Sequence, residues 1–224
     1  VAYASLLREP RRALHLRVAD ALAGDAAVAG EPEVIARHYA EAGLPDSAID
    51  YHLRAAALAQ SRSAVAEMVS QLRRGIALLD QLPDTADTRR RELQLQTALG
   101  RGLIDAIGSG SEEAHDAFLR AHALAHALDD TTHMLPILYG LQVYHFTNSQ
   151  PEIVVRYAEE ILALGHRTGE RRVLVLGERV GGSAYLLLGR FAECRRAYEN
   201  LLRLYDVAID GGASADTPRD PFVA

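Results

Sequence analysis

The sequence predicts an all-α fold of helical hairpins in series, and three observations predict it. Apolar residues recur at three- and four-residue intervals along almost the whole chain, the spacing that lines one face of a helix. Alternating runs of β-branched residues, the mark of a half-buried strand, are missing; the nearest, Val173-Leu174-Val175-Leu176, lies inside a longer helical pattern. Pro, Gly and Ser separate the periodic stretches by short connections, and short connections make consecutive helices antiparallel neighbours.

The elements follow in order. Pro10 precedes a helix over about 11–23, which the small-residue stretch 24–30 ends. Pro32 stands at a first helical position, where its fixed φ suits the helix and its missing N–H is not needed, and Gly43 stops that helix. Pro45-Asp46-Ser47 starts the next, to about residue 60. Ser63 is read as the cap of a helix to about residue 82, and Pro83-Asp84-Thr85 breaks the chain. A long helix follows over about 88–107. After Gly108-Ser109-Gly110-Ser111, Ser109 or Ser111 is placed to cap a helix over about 112–128. The remaining helices are predicted over about 131–146, 151–168, 171–188 and 190–207. Residues 210–224, rich in Gly, Ala, Asp and Pro, have little to bury and are expected to be disordered or to begin a truncated repeat.

Composition limits the chemistry. The 224 residues carry 24 basic and 30 acidic side chains, a formal charge of −6, which argues against a nucleic-acid surface. Every basic residue is Arg, so there is no lysine for a Walker phosphate loop or a Schiff base. The single cysteine, Cys194, excludes an internal disulfide and a Cys-pair zinc site. No apolar run approaches the roughly 18–20 residues that span a bilayer. The start at Val1, without a signal peptide, reads as a cytoplasmic fragment of a longer protein. No motif announces a reaction, so neither a catalytic residue nor a cofactor is assigned.

Repetition separates a series of hairpins from an irregular bundle. Gly100, Gly140 and Gly182 stand about 40 residues apart. In the partner helices Ala114, Val154 and Cys194 repeat in the same way, as do Phe118, Ala158 and Tyr198, and Ala121, Ile161 and Leu201. Small residues at a crossing let two backbones approach, and a larger side chain four residues on fills the groove. The best single unit runs from Gly182-Ser183-Ala184-Tyr185 through Leu188-Gly189-Arg190-Phe191 to Cys194, Tyr198 and Leu201. It resembles the tetratricopeptide repeat, although Cys194 replaces the usual Ala and the helix-ending Pro is missing. That resemblance implies a right-handed α-solenoid over residues 31–209.

Further segments resemble bacterial multidomain signalling proteins. Tyr3-x-Ser5-Leu6-Leu7 with Arg11, Leu14-His15, Ala19 and Leu22 looks like the end of a winged-helix segment, so residues 1–30 are assigned to that tail. Pro32-Glu33-Val34-Ile35-Ala36-Arg37-His38-Tyr39, Leu72-Arg73-Arg74-Gly75-Ile76, Leu82-Pro83-Asp84 and Arg91-Glu92-Leu93-Gln94 extend the likeness. In that family a class III adenylate/guanylate cyclase domain accompanies a STAND-type ATPase and a tetratricopeptide-like region. In other members the output is a protein kinase or a LuxR-type DNA-binding domain. The resemblance implies a non-catalytic regulatory region of a cyclase–ATPase protein. The alternative is the regulatory arm of an ATPase-containing LuxR-type transcriptional activator. Its partners would be another protein, the parent's own ATPase and cyclase domains, a small-molecule effector or a second copy. No nucleic acid or membrane is expected.

Each candidate site has a plainer explanation beside it. His115, His122 and His126 share a helix face, and His122 and His126 are four apart, a chelating spacing. The Ala-Leu-Ala between that pair lacks a zinc protease's Glu, so solvated or packed histidines are expected and no metal is assigned. The Gly108–Ser111 loop leads to a helix N-terminus, but Glu112 and Glu113 would repel an anion there. His15 with Asp20, or His38 with Glu41, has the composition of an acid/base pair but no nucleophile near it. Arg89-Arg90-Arg91 lies among Asp84, Asp87 and Glu92 and reads as a solvated helix start. The aromatic cluster Tyr139, Tyr144 and Phe146 with His145 is placed on a concave, partner-binding helix. By the same register Gln94, Thr97, Arg101, Leu141, Tyr144, Arg179 and Ser183 would line that face, with inter-repeat packing as the competing role. The last hairpin is expected to expose Leu201, Leu202 and Tyr205 and to promote self-association.

Overall fold

A computed structural model describes residues 8–24 and 31–205. Among them are ten α-helices and no strand: α1 (Arg8–Gly24), α2 (Pro32–Ala42), α3 (Pro45–Ser61), α4 (Val65–Leu78), α5 (Ala86–Ile107), α6 (Glu112–Leu128), α7 (Met134–Thr147), α8 (Pro151–Thr168), α9 (Arg171–Leu187) and α10 (Phe191–Leu204). Most predicted bounds are met within three residues, because Pro, Gly and Ser act locally. No described helix is long and apolar enough to cross a membrane. The expectation for residues 210–224 lies outside the described residues, as does most of the 24–30 loop.

Two predicted starts are corrected. Ser63 does not open α4; it closes α3, with φ +57° and its N–H donating to the Gln60 carbonyl at 3.0 Å. Thr85, not the region of Thr88, begins α5: its side chain accepts from the Thr88 N–H at 3.2 Å. Of the two serines before α6, Ser111 is the cap, accepting from the Ala114 N–H at 3.1 Å. Ser111→Ala leaves that donor unpaired and is expected to destabilise α6 by about 0.5–2 kcal/mol, read as a fall in urea midpoint at constant m-value.

One turn geometry closes five of the helices. After α2 the Gly43 N–H donates to Ala40 O (3.0 Å) and the Leu44 N–H reaches back to Tyr39 O (3.0 Å). The same pair of bonds, one to the carbonyl three residues back and one to the carbonyl five back, recurs at Ser63–Ala64, Asp129–Asp130, Ser149–Gln150 and Gly189–Arg190. Each needs one residue in the left-handed region, where Gly43 and Gly189 are unstrained. Ser63, Asp129 and Ser149 take that conformation with a side chain. Their bonds satisfy carbonyls that a helix end leaves open, and each turn reverses the chain within a few residues.

The chain divides into two compact units, Val1–Gly140 and Leu141–Ala224, with the division inside α7. In the first, the substantial packing among described residues joins consecutive helices, from α1 on α2 through α5 on α6. Its core runs from Ala19, Ile35, Tyr39 and Ala48 to Ile49, Leu72, Leu95, Leu103 and Ala117. Ion pairs also link helices two apart: Arg91 of α5 with Asp50 and Asp46 of α3, and Arg73 of α4 with Glu113 of α6 at 2.7 Å. In the second unit α8 packs on α9 and α9 on α10, around Val154, Val155, Ala158, Val180 and Ala184.

Gly100 and Gly182 have the contacts their spacing implied, whereas Gly140 meets Phe118 and not Ala158 of its own predicted unit. Phe118, 1% exposed, lies against both Gly100 and Gly140: a Cβ on either would meet its ring at 2.8 and 2.3 Å. In the second unit Gly182 receives the ring of Tyr198, which a Cβ would meet at 3.0 Å. Ala114, Val154, Cys194, Ala121 and Ile161 are all buried, as their shared register requires. On the last hairpin Leu202 and Tyr205 are exposed and Leu201 is half-buried; Leu186, Leu187 and Phe191 add to the exposed apolar surface.

Candidate functional site

The second unit holds a groove of about 350 Å³ lined by Gln142, Val143 and Phe146 of α7, Arg179, Val180 and Ser183 of α9, and Tyr198 of α10. Local chemistry sets its floor. Gly182 has no side chain, so the Tyr198 ring settles against α9. The Ser183 hydroxyl donates to the Arg179 carbonyl at 3.0 Å. Its oxygen lies 3.1 Å from the Tyr198 hydroxyl, which therefore donates to Ser183. One turn away, Asn200 Nδ2 donates to Glu178 Oε1 at 3.0 Å, tying α10 to α9. Val143, Phe146 and Val180 supply an apolar wall, while Arg179 brings a cation and Gln142 an amide. The lining contains no imidazole, thiol or carboxylate to activate the Ser183 hydroxyl. The lining sets an apolar wall beside a cation and an amide.

Of the seven residues predicted for a partner-binding face, Arg179 and Ser183 line this groove. Thr97 and Leu141 do not lie on an open surface: both are buried, and the Thr97 hydroxyl donates to the Leu93 carbonyl at 2.7 Å. Helix geometry explains the correction, since a step of one residue turns a side chain by about 100° and a small error in register exchanges surface for core. Gln94 and Arg101 are exposed on α5. Tyr144 is half-buried and meets the His145 ring edge-on at 5.2 Å. His145 stacks on Tyr157 at 5.6 Å, and its Nδ1–H donates to Gln150 Oε1 at 2.6 Å. Burial, reinforced by the Glu160 carboxylate, pushes the Tyr157 phenol up. Gln142, Val143 and Val180 had no distinguishing signal in the sequence. Tyr198 did, as the aromatic at a fixed offset from Gly182.

The candidate histidine pairs and the 89–91 arginines meet side chains around them. His15 Nδ1 lies 2.8 Å from His38 Nδ1, and Asp20 instead accepts from the Tyr39 hydroxyl at 3.0 Å. Tyr39 stacks on Tyr51 of α3 at 5.5 Å, as expected for packing against the next hairpin. Burial, the His15 charge and Arg37 lower the His38 pKa, against the pull of Glu41. Each arginine of the 89–91 run has an acidic partner: Arg89 with Asp84 and Arg90 with Asp87 at 2.7 Å, and Arg91 with Asp50.

No family model matches the chain. Over 208 residues it is 26% identical to the uncharacterized protein R02095 of Rhizobium meliloti (strain 1021), a match that covers 91% of this chain and 20% of that protein. The chain thus spans about one fifth of the length of the relative it resembles.

Proposed function

We propose that the chain is a right-handed α-solenoid of tetratricopeptide-like hairpins. In this reading it is a non-catalytic regulatory region of a bacterial multidomain signalling protein of the class III adenylate/guanylate cyclase type with an ATPase module. The observation that carries the repeat reading is the single turn geometry recurring after five helices. Packing between consecutive helices and ion pairs between helices two apart support it. The assignment to a cyclase–ATPase parent rests on the sequence resemblance. The much greater length of the Rhizobium relative is in keeping with a region of a larger protein.

The groove of the second unit would take an extended segment of a partner or of a neighbouring domain. An apolar side chain would lie against Val143, Phe146 and Val180, and a carboxylate or carbonyl would face Arg179. Such a segment changes output only through its differential affinity for two states of the protein, and adding small rotations between hairpins is how a solenoid supplies those states. In the full-length protein Arg179→Glu is expected to shift effector-dependent nucleotide turnover by about fivefold or more, with the helical CD spectrum retained. A response unchanged both by Arg179→Glu and by deletion of residues 108–224 would overturn this reading.

A further inference from the structure

We propose that His122 and His126 form a chelating site for a divalent transition-metal ion of zinc type. Both lie on α6, four residues apart and so on one face. Their Nε2 atoms are 3.2 Å apart, and the rings cross at 83° with centroids 4.5 Å apart. Two imidazole nitrogens bound at about 2.0–2.1 Å to one tetrahedral zinc ion stand about 3.3 Å from each other. The helix therefore brings both donors to chelating separation before any ion arrives, and a mobile pair would lose entropy to reach it.

Neighbouring residues fix the backbone that carries the pair. Ala121, Leu124 and Ala125 are buried in the core and hold α6, with both rings on it, in place. His122 is half-buried and His126 exposed, which leaves the donors in reach of an ion from solvent. Imidazole pairs favour zinc, copper and nickel over magnesium or calcium, which take oxygen ligands. An ion that binds the folded helix and not the unfolded chain stabilises α6 by mass action.

The test is calorimetric titration of the whole chain with zinc chloride at pH about 7.5 in a non-chelating buffer, alongside copper titration read by EPR. Saturable binding at one ion per chain is expected, with nitrogen hyperfine structure from two imidazoles in the copper form. His122→Gln and His126→Gln should each weaken zinc at least tenfold with helical CD intact, whereas His115→Gln, on the same helix, should leave the affinity unchanged. Protons compete with metal for imidazole nitrogen, so binding should weaken as the pH falls. Absence of saturable binding, or an affinity that His122→Gln and His126→Gln leave unaltered or that His115→Gln reduces equally, would overturn the assignment.

Discussion

Phe118→Ala is expected to destabilise the first unit by about 3–5 kcal/mol, the range for removing a buried phenyl ring without refilling the space. Phe118 is 1% exposed and sits where α5, α6 and α7 meet, its ring flanked by Gly100 and Gly140. The two glycines leave room for one ring between two backbones, so no neighbouring side chain stands ready to collapse into a vacated site. The converse change tests the same contact from the other side. A Cβ at Gly140 would stand 2.3 Å from the ring, and one at Gly100 2.8 Å. Gly140→Ala is therefore expected to cost about 1–3 kcal/mol through overpacking, although alanine's helix propensity would offset about 1 kcal/mol of it. Because both changes act on one contact, the double variant Phe118→Ala/Gly140→Ala should lose less than the sum of the two. Urea unfolding followed by far-UV CD measures all three. Additive losses would show that Phe118 and Gly140 are energetically independent.

Acid is expected to weaken the first unit between pH about 7.5 and 5.5, through His52 and His38. His52 is buried on α3, and its Nδ1–H donates to Gln71 Oε1 of α4 at 2.8 Å. Burial lowers its pKa below the usual histidine value; the Gln71 bond raises it and the Arg74 charge adds to the lowering. His38 shifts in the same direction. A histidine with a lowered folded-state pKa binds fewer protons folded than unfolded once the pH falls below about 6.5, so stability declines with acid at up to about 1.4 kcal/mol per pH unit for each such group. The decline ends where the folded-state pKa is passed, and above neutrality neither group contributes. Gln71→Leu leaves the buried imidazole donor unpaired and should cost about 1–3 kcal/mol at pH about 7.5. His52→Leu/Gln71→Leu removes both polar groups, so it should recover most of that loss and reduce the acid slope to the part that His38 carries. Midpoints that do not change between the two pH values would contradict the linkage.

What could be read from the chain divides by the range of the interaction. Helix bounds depend on residues within one turn, and Pro32, Pro45, Gly43 and Ser111 act as local chemistry predicts. The small-to-large register of Gly100, Phe118, Gly182 and Tyr198 was also visible, because backbone approach imposes it at a fixed offset. Ser63 was misplaced because a serine beside a helix has the same appearance whether it ends one or begins another; only its positive φ decides. Thr97 and Leu141 went astray because assigning a face needs rotational accuracy that an apolar count cannot supply. The pairings of His15 with His38 and His52 with Gln71 join separate helices, and no local pattern marks them. The groove combines both cases: Arg179 and Ser183, read in the sequence as part of a partner-binding face, line it, while Gln142, Val143 and Val180 are ordinary helix residues until the tertiary fold assembles them.

The neighbour-to-neighbour packing within each unit bears on how the molecule is made. A helix that docks on the one just synthesised needs only a short closure of chain, and topologies dominated by such near-sequence pairings cross a low entropic barrier and assemble quickly. Each new hairpin can find its seat while later residues are still inside the ribosome, so little greasy surface waits exposed during translation.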